Sequence, residues 1–458
     1  MRRPAPKRAS AAHLSARTGA ALGPTKAQVA IGWAIACLLA GGLVLGPRAT
    51  LSILHTTIFG LFAAATALRA AAVVVVTIAA RPAPVPALRD SALPAYTVIA
   101  PLYREANMIE SLLDALGRLD YPARRLQILL VLEADDKDTI AAAVAAAKPD
   151  HVSVLVAPPG APRTKPRACN VALQQATGEL ITIYDAEDRP GPGQLRDAAA
   201  RFAAGPPGLA CLQAPLRIDD SKAFLARQFA LEYASQFEIV LPALAKLDAP
   251  FPLGGTSNHF KAAALRDVGG WDAWNVTEDA DMGFRLTERG YQLGVMATPT
   301  FEPAPELLRD WLPQRARWVK GYMQTFGVHT RRPFVGGARQ TLAFQATMGL
   351  SIVSAFGHGP LAIWIAVKTL LWAAGAGQPL GEIKDVFLLV GGWAVAATLM
   401  TLGAGKAGLR LRASDLLLAI AYWPLQSLAA LHAVEQLLRR PYHWDKTPHR
   451  PAPLRAMA

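Results

Sequence analysis

The sequence predicts an α/β domain, built on a mostly parallel sheet, that is held between two sets of transmembrane helices. Hydrophobic residues make up 52% of the chain and charged residues only 18%, whereas a soluble domain carries nearer a quarter charged residues. The apolar excess lies at the two ends of the chain. The middle has an ordinary soluble composition and alternates short apolar strands with amphipathic helices.

Two apolar runs follow a basic N-terminal arm. The arm covers residues 1–26, and the two runs together cover residues 27–80. A helix needs about 20 apolar residues to cross a bilayer, and each run is long enough. A secretory signal peptide also begins with basic residues, but its apolar core is shorter. We therefore expect a transmembrane hairpin, followed by a Pro-rich linker at residues 81–93.

The C-terminal part is predicted to return to the membrane. Residues 305–335 are basic and aromatic, which suits amphipathic helices at a membrane interface. Residues 336–435 then contain four apolar runs, of which the first two are short. We expect four passes, or three if the short runs form one bent or re-entrant pair.

Basic residues at both ends of the chain indicate how it sits in the membrane. The net charge is +13, and residues 1–26 carry six basic and no acidic side chains. The tail at residues 436–458 carries five basic and one acidic side chain. Basic segments beside apolar spans mark the cytosolic side, so we expect an inner-membrane protein with a cytosolic α/β domain and no nucleic-acid partner.

The middle segment, residues 94–304, carries the strand and helix pattern. A helix follows each of four predicted apolar strands, which are Tyr96–Ala100, Leu126–Leu132, Val152–Val156 and Leu180–Tyr184. Continuous apolar strands separated by helices indicate a parallel sheet covered on both faces. Ligands bind such sheets beyond the carboxyl ends of the strands, so the residues that follow each strand are the candidates for chemistry.

The segment after the first strand contains Pro101, Tyr103 and Glu105. A tyrosine ring and a carboxylate at this edge could stack on a nucleotide base and accept its N–H groups. The alternative is a plain turn in which Asn107 caps the next helix.

Four acids in six residues follow the second strand, beginning with Glu133 and Asp135. One of Glu133, Asp135 and Asp136 is expected to contact the same nucleotide. Asp136 or Asp138 could instead cap the following helix.

The segment after the third strand places Lys165 and Asn170 at the start of a predicted helix. Basic groups at a helix N-terminus suit a phosphate, through both their charge and the helix dipole. The alternative is an ordinary solvated charge run.

Two alternating acids, Asp185 and Glu187, follow the fourth strand. Alternation can point both carboxylates to one side, where they would hold a hard divalent cation that bridges a diphosphate. The sequence therefore predicts a Mg²⁺ or Mn²⁺ site. The three cysteines show no CxxC or Cys/His spacing, so zinc is not expected.

Glu278 and Asp279 come just before a helix predicted at Ala280–Arg289. A carboxylate in this position could deprotonate an acceptor hydroxyl. The alternative role of Asp279 is to cap the helix.

Gln314, Arg317 and Trp318 are spaced i, i+3 and i+4, so they share one helix face. An amide, a guanidinium and an indole together can bind a leaving diphosphate and stack on a sugar. The alternative is an interfacial helix with a basic, aromatic face.

Taken in this order, these motifs resemble the family 2 glycosyltransferases of the cellulose, chitin and hyaluronan synthase type, over about residues 94–326. The acidic metal motif, the Thr-Glu-Asp triplet and the QxxRW motif carry the resemblance. Two positions depart from the usual pattern. Glu-Ala-Asp-Asp at residues 133–136 stands in place of an Asp-Asp pair, and Glu187 in place of an aspartate.

The resemblance implies a GT-A fold and an inverting reaction. Asp279 would be the base, and Asp185 with Glu187 would hold the metal. Gln314 and Arg317 would hold the diphosphate, and Trp318 would face the acceptor sugar. The remaining implied contacts are to the donor, with Lys165 on the phosphates and the base held by Tyr103, Glu105 and Glu133 or Asp135.

Three functions remain compatible with these residues. The first is transfer from a nucleotide sugar, which the resemblance implies to be a UDP-sugar, onto a growing polysaccharide. The second is a single transfer to a membrane lipid. The third is a non-catalytic membrane sensor that binds a nucleotide, which predicts a damaged catalytic set. That set is complete here, so a transferase is favoured.

Overall fold

The computed structural model of the chain describes residues 19–78, 85–376 and 383–443. The basic arm before residue 19, the start of the predicted linker and the tail after residue 443 lie outside the described residues.

The chain begins with a helical hairpin formed by α1 (Lys26–Leu45) and α2 (Pro47–Ile78). Thr25 caps α1, since its hydroxyl accepts from the Gln28 N–H at 3.2 Å while the Gln28 side chain accepts from the Thr25 N–H at 2.9 Å. No residue of α1 is buried inside the protein. Its apolar surface is therefore left for lipid, as the predicted transmembrane hairpin requires.

Ten strands form two sheets, and their bounds are β1 (Tyr96–Leu102), β2 (Leu126–Glu133), β3 (Val152–Ala157), β4 (Leu180–Ile183), β5 (Arg189–Pro190), β6 (Leu209–Gln213), β7 (Leu216–Ile218), β8 (Asn258–Lys261), β9 (Gln292–Val295) and β10 (Thr300–Glu302). The larger sheet has the order β3-β2-β1-β4-β8-β6-β9, and the smaller one β5-β10-β7. The four predicted strands correspond to β1–β4, which pair in parallel.

Strand β8 was not predicted from the sequence, and it runs antiparallel to both of its neighbours. Its residues include Asn258 and His259, which are polar but buried. The His259 ring contacts the Tyr96 hydroxyl at 2.6 Å, and burial lowers the pKa of His259 to about 3. Because β8 places polar side chains in the core, its sequence lacks the apolar pattern by which a buried strand is predicted.

Eight helices connect these strands, and their bounds are α3 (Ile109–Gly117), α4 (Lys137–Ala145), α5 (Lys165–Gln175), α6 (Gln194–Ala204), α7 (Phe224–Ser235), α8 (Leu241–Lys246), α9 (Ala262–Asp267) and α10 (Glu278–Glu288). They cover both faces of the larger sheet. Val98 of β1 belongs to the same buried cluster as Leu112 of α3 and Leu195 of α6. The next residue, Ile99, belongs to the opposite cluster with Leu265 of α9.

Five helices follow the α/β domain, and their bounds are α11 (Leu308–Thr330), α12 (Ala338–Phe344), α13 (Leu350–Ala373), α14 (Ile383–Ala407) and α15 (Ala413–Arg439). A π-helical turn joins α12 to α13, so residues 338–373 form one continuous helix. With α1, α2, α14 and α15, this makes five helices, among the described residues, that are long and apolar enough to cross a membrane. The chain is a membrane protein.

Of the four or three C-terminal passes expected, the described residues form three long apolar helices, because the first two apolar runs lie within one helix that continues through Pro360. Proline removes an N–H and frees the carbonyl four residues earlier, which would ordinarily break a helix. Here the Ser427 hydroxyl of α15 donates to the Ala355 carbonyl at 2.6 Å and shares its proton with the freed Phe356 carbonyl at 3.2 Å. The same oxygen accepts from the Gly359 N–H at 2.7 Å. A neighbouring helix thus satisfies the freed groups.

Both ends of α15 contact the α/β domain and its adjoining helix α11. Near its start, Asp415 accepts from the Arg227 Nε at 2.9 Å. Near its end, Gln436 accepts from the Lys320 ammonium of α11 at 2.9 Å. The described residues on either side of α15 thus lie beside the α/β domain and α11, since the Arg410 carbonyl accepts from Arg227 and the Pro441 carbonyl accepts from Gln324.

Candidate active site

Strands β1, β2 and β4 end at one edge of the larger sheet, and their carboxyl ends bring Tyr103, Glu133 and Asp185 together. The start of α10 and one face of α11 form the opposite wall. These residues line one cavity of about 3560 Å³. A single small-molecule pocket has about 300–1,000 Å³, so this cavity can hold more than one substrate.

The acidic turn after β4 is fixed by its last member, Asp188. This carboxylate accepts from the Asp185 N–H at 2.6 Å and from the Thr256 hydroxyl. Its other oxygen, Oδ1, is buried and accepts no hydrogen bond within the described chain. Because Asp188 holds the turn, Asp185 and Glu187 are left to line the cavity.

Lys165, at the start of α5, reaches across the cavity edge to Asp185. Its ammonium lies 2.5 Å from one carboxylate oxygen and donates to the Gly255 carbonyl at 2.6 Å. Burial raises the pKa of Asp185, and the Lys165 charge opposes that rise. A positive charge is therefore already placed where a diphosphate would sit.

The loop before α10 is held by α11. The Asn275 amide donates to the Thr325 hydroxyl at 2.8 Å, and the Gln324 side chain accepts from the Val276 N–H at 3.1 Å. Gly321 allows this close approach, because a Cβ there would lie 2.4 Å from the Thr277 side chain. The position of the Thr-Glu-Asp triplet is thus fixed by the helix that carries the QxxRW motif.

Glu278 and Asp279 form a pair of acids in the cavity wall. Burial, followed by the charge of Asp279, raises the pKa of Glu278 to about 8. Burial also raises the pKa of Asp279, while Lys165 and Arg317 oppose the rise. The Ala280 N–H donates to one Asp279 oxygen at 2.8 Å. A carboxylate with a raised pKa is the stronger base, which suits proton removal from a hydroxyl.

The face of α11 that carries Gln314, Arg317 and Trp318 lines the same cavity. The side-chain oxygen of Gln314 is buried and has no hydrogen-bond partner in the described part of the chain. The positive charge of Arg317 acts on Glu278, Asp279 and Asp185. An amide and a guanidinium thus face the acidic edge across the space that a diphosphate would fill.

Two of the predicted site residues do not line the cavity. The Asp135 carboxylate pairs with Arg163 at 2.6 Å at the surface. The next residue, Asp136, caps α4, and this turn directs Asp135 away from the cavity. The Asn170 side chain donates to the Trp271 carbonyl at 2.7 Å and accepts from the Trp271 N–H at 2.9 Å. Both hydrogen-bonding groups of Asn170 therefore serve to hold a loop.

The other predicted donor contacts do line the cavity, and they are Pro101, Tyr103, Glu105, Glu133 and Lys165. Glu105 is buried and accepts from the Tyr103 N–H at 3.3 Å. Glu133 is paired with Arg167 at 3.0 Å.

The sequence analysis missed a cluster beside the QxxRW motif. Arg315 lies within that motif, but it is buried and bound to Glu232 and Tyr422. Arg315 also lines the cavity, beside Glu232 and Tyr422. Its partners could not be found, because they are 83 and 107 residues away in the sequence.

Family models match most of the α/β domain and the helices after it. The model described as glycosyl transferase family group 2 matches residues 180–409, which is half of the chain. The model described as glycosyl transferase family 2 matches residues 97–262. The chain belongs to glycosyl transferase family group 2. It is a glycosyltransferase, as the order of its motifs led us to expect.

Curated relatives of this glycosyltransferase are distant. A probable glycosyltransferase of Sulfolobus acidocaldarius is 25% identical over 336 residues, covering 72% of this chain and 71% of that one. The probable glycosyltransferase YdaM of Bacillus subtilis is 26% identical over 240 residues, covering 50% and 55%. The poly-β-1,6-N-acetyl-D-glucosamine synthase of Staphylococcus epidermidis is 24% identical over 229 residues, covering 48% and 52%. The chain thus spans about half the length of the last two relatives.

Among solved structures, the mannosyltransferase PcManGT from Pyrobaculum calidifontis, in complex with GDP-Man and Mn²⁺, has a TM-score of 0.54 and 22% identity. The match covers 83% of this chain and 99% of that one. Similarity at this level shows a shared fold. The predicted fold class, a GT-A domain joined to apolar helices, is therefore confirmed.

Proposed function

We propose that this glycosyltransferase moves a sugar, with inversion, from a nucleoside diphosphate sugar to the end of a growing polysaccharide at the inner membrane. A UDP-sugar is the donor that the resemblance favours. The observation that carries the proposal is the continuity of the cavity. The cavity that contains Asp185 and Asp279 is also lined by α2, α13 and α14.

The membrane part of the cavity carries both ionisable and aromatic side chains. Ionisable groups are costly in lipid, so residues such as Arg69, His358 and Lys368 favour a passage that holds water or polar ligand. Phe62 and Trp364 add aromatic faces. A sugar chain offers hydroxyls to the first group and C–H faces to the second, whereas a lipid tail offers only C–H groups. The lining therefore favours a polysaccharide over a lipid acceptor.

In the proposed reaction, Asp279 takes the proton of the acceptor hydroxyl as its oxygen attacks the anomeric carbon. The bond from that carbon to the diphosphate breaks on the opposite side, which inverts the configuration. Gln314 and Arg317 bind the diphosphate as it gains negative charge, and hydrogen bonds of this kind are strongest to an ionised acceptor. Trp318 stacks on the acceptor sugar.

The residues after β4 fit a divalent metal ion. Asp185 and Glu187 offer the oxygen ligands that Mg²⁺ and Mn²⁺ prefer. Among the described residues, no group of three or more His, Cys, Asp or Glu side chains is arranged so that it could hold a metal ion by itself. The donor diphosphate would therefore complete the shell of ligands. A bound ion would neutralise the charge of the leaving group.

The orientation of α15 supports a cytosolic catalytic domain. The loop before α15 and the segment after it both contact this domain, through the Arg410 carbonyl on Arg227 and the Pro441 carbonyl on Gln324. If α15 lies along the membrane surface, two basic segments stay on one side. That side is cytosolic by the charge bias of membrane proteins.

The test is to incubate the purified protein in lipid vesicles with a panel of labelled nucleotide sugars and to size the product. We expect one donor to give long chains with Mg²⁺ or Mn²⁺, and no product in EDTA. A product of one sugar on lipid would replace the polysaccharide with the lipid acceptor. Full activity in EDTA would remove the metal from the proposal.

A further inference from the structure

We infer that Glu232, Arg315 and Tyr422 form a positioning triad that sets the ring of Trp318 against the acceptor sugar. The inference rests on the proposed function, because it assigns Trp318 to the acceptor. It adds three residues to that site, one from each of α7, α11 and α15.

The triad is closed by four hydrogen bonds. The Arg315 guanidinium donates to both Glu232 oxygens at 2.6 Å. The Tyr422 hydroxyl donates to the Glu232 Oε2 at 2.9 Å and accepts from the Arg315 Nη2 at 3.0 Å. A bidentate arginine–carboxylate pair fixes the plane of the guanidinium as well as its position.

The fixed guanidinium lies against the ring of Trp318. Its central carbon is 4.6 Å from the Trp318 ring centroid and 4.7 Å from that of Phe229. Phe229 and Tyr233 flank the indole at centroid distances of 5.8 and 6.2 Å. Cation–π contact of this kind favours one placement of the ring over the arginine. Since Trp318 lines the cavity, the triad determines the face that the indole presents to a sugar.

A second arginine–carboxylate pair shows what a purely structural contact between the same helices looks like. Arg227 of α7 binds Asp415 of α15, with a distance of 2.9 Å from Nε to Oδ1. Neither residue lines the cavity, and the Asp415 side chain is only 5% exposed. The Glu232 side chain, in contrast, is 41% exposed and lines the cavity. Two pairs thus join α7 to the C-terminal helices, and one of them also touches the site.

Loss of the triad should weaken the binding of the acceptor and leave the binding of the donor unchanged. In Glu232→Gln one carboxylate oxygen becomes an NH₂ group that cannot accept from Arg315. The guanidinium is then free to turn, and the indole with it. Gln314, Arg317 and the sheet edge keep their places, so donor binding should persist. Misplacement of a positioning group by about 1 Å costs up to about a hundredfold in rate.

The experiment compares wild type with Glu232→Gln, Tyr422→Phe and the control Asp415→Asn in lipid vesicles. Two rates are measured for each, namely chain extension on short oligosaccharides cut from the wild-type product, and donor hydrolysis without acceptor. We expect the acceptor KM of Glu232→Gln to rise at least about tenfold, with donor hydrolysis within about twofold. Tyr422→Phe should show a smaller rise in the same direction, and Asp415→Asn none.

Two results would overturn the inference. One is an equal loss of chain extension and donor hydrolysis in Glu232→Gln and Tyr422→Phe, which would make the triad a general structural support. The other is a matching rise of acceptor KM in Asp415→Asn. A wild-type enzyme that extends no oligosaccharide would instead contradict the proposed function, so the two failures can be told apart.

Discussion

The cavity has two ends that differ in how charged side chains are arranged. The catalytic end contains Asp185 and Asp279, and the membrane end is lined by α2, α13 and α14. At the catalytic end, acids and bases are already paired in the free protein, as in Lys165 with Asp185 and Arg167 with Glu133. At the membrane end, most of the lining is aliphatic, and its few ionisable side chains include His55, which lies 3.0 Å from Asp385. The catalytic end is therefore prepared to exchange partners when a charged donor enters. The membrane end is suited to guide a neutral, polar chain.

The largest effect, on the rate of transfer, is expected from Asp279→Asn at the catalytic end. This change removes the proposed base and keeps the shape of the side chain. Transfer should fall by about a thousandfold, within the range that general base catalysis contributes. Binding of the nucleotide, measured by calorimetry, should change by less than about twofold, because the donor contacts remain.

The matched control for this change is Asp138→Asn, on α4 outside the cavity. It should leave transfer near the wild-type rate. If Asp279→Asn kept more than about a tenth of wild-type transfer, Asp279 would not be the base.

A smaller effect, on stability, is expected from substitution of His329, which joins α10 to α11 behind the catalytic end. Its ring contacts Asp281 at 3.0 Å and Glu288 at 2.6 Å. Burial opposes the charge, but the hydrogen bonds that the ring donates to these two carboxylates outweigh it and raise the pKa of His329 to about 9. Because the folded pKa lies above the unfolded value of about 6.5, the added stability is complete below pH 6.5. It is lost as the pH rises through about 9.

The thermal unfolding midpoint of the wild type should therefore fall as the pH rises from about 7 to 10. His329→Gln should lower the midpoint at pH 7 and make it depend less on pH. The free energy of unfolding at pH 7 should fall by about 2–3 kcal/mol. His151→Gln, in a loop between α4 and β3, is the control. Equal pH profiles for wild type and His329→Gln would show that the contact does not hold α10 to α11.

The sequence was sufficient to predict that side chains following β1, β2 and β4 share one cavity, because parallel strands end at one edge of a sheet. The roles of these side chains stay predictions. Prediction from the sequence failed where one local pattern is compatible with two different structures. Asp135 and Asn170 matched motif positions, but capping by Asp136 and the Trp271 backbone determine where they point. The site residues that depend on distant partners, such as Glu232, had no local signal at all.

The membrane end was harder to predict for a physical reason. Proline predicts a break in a helix, and at Pro360 the break is repaired by Ser427 from another helix. The length and apolar character of α15 suit a spanning helix. Its contacts with Arg227 and Lys320, which place both of its ends beside the α/β domain and α11, could not be predicted from local patterns.

The central claim is that one cavity serves both the reaction and the passage of its product. The most direct test is cryo-electron microscopy of Asp279→Asn in lipid nanodiscs with its donor and an oligosaccharide. We predict sugar density that begins at Trp318 and continues between α2 and α13 toward His358. Density that leaves Trp318 for the aqueous side of the α/β domain would contradict the claim.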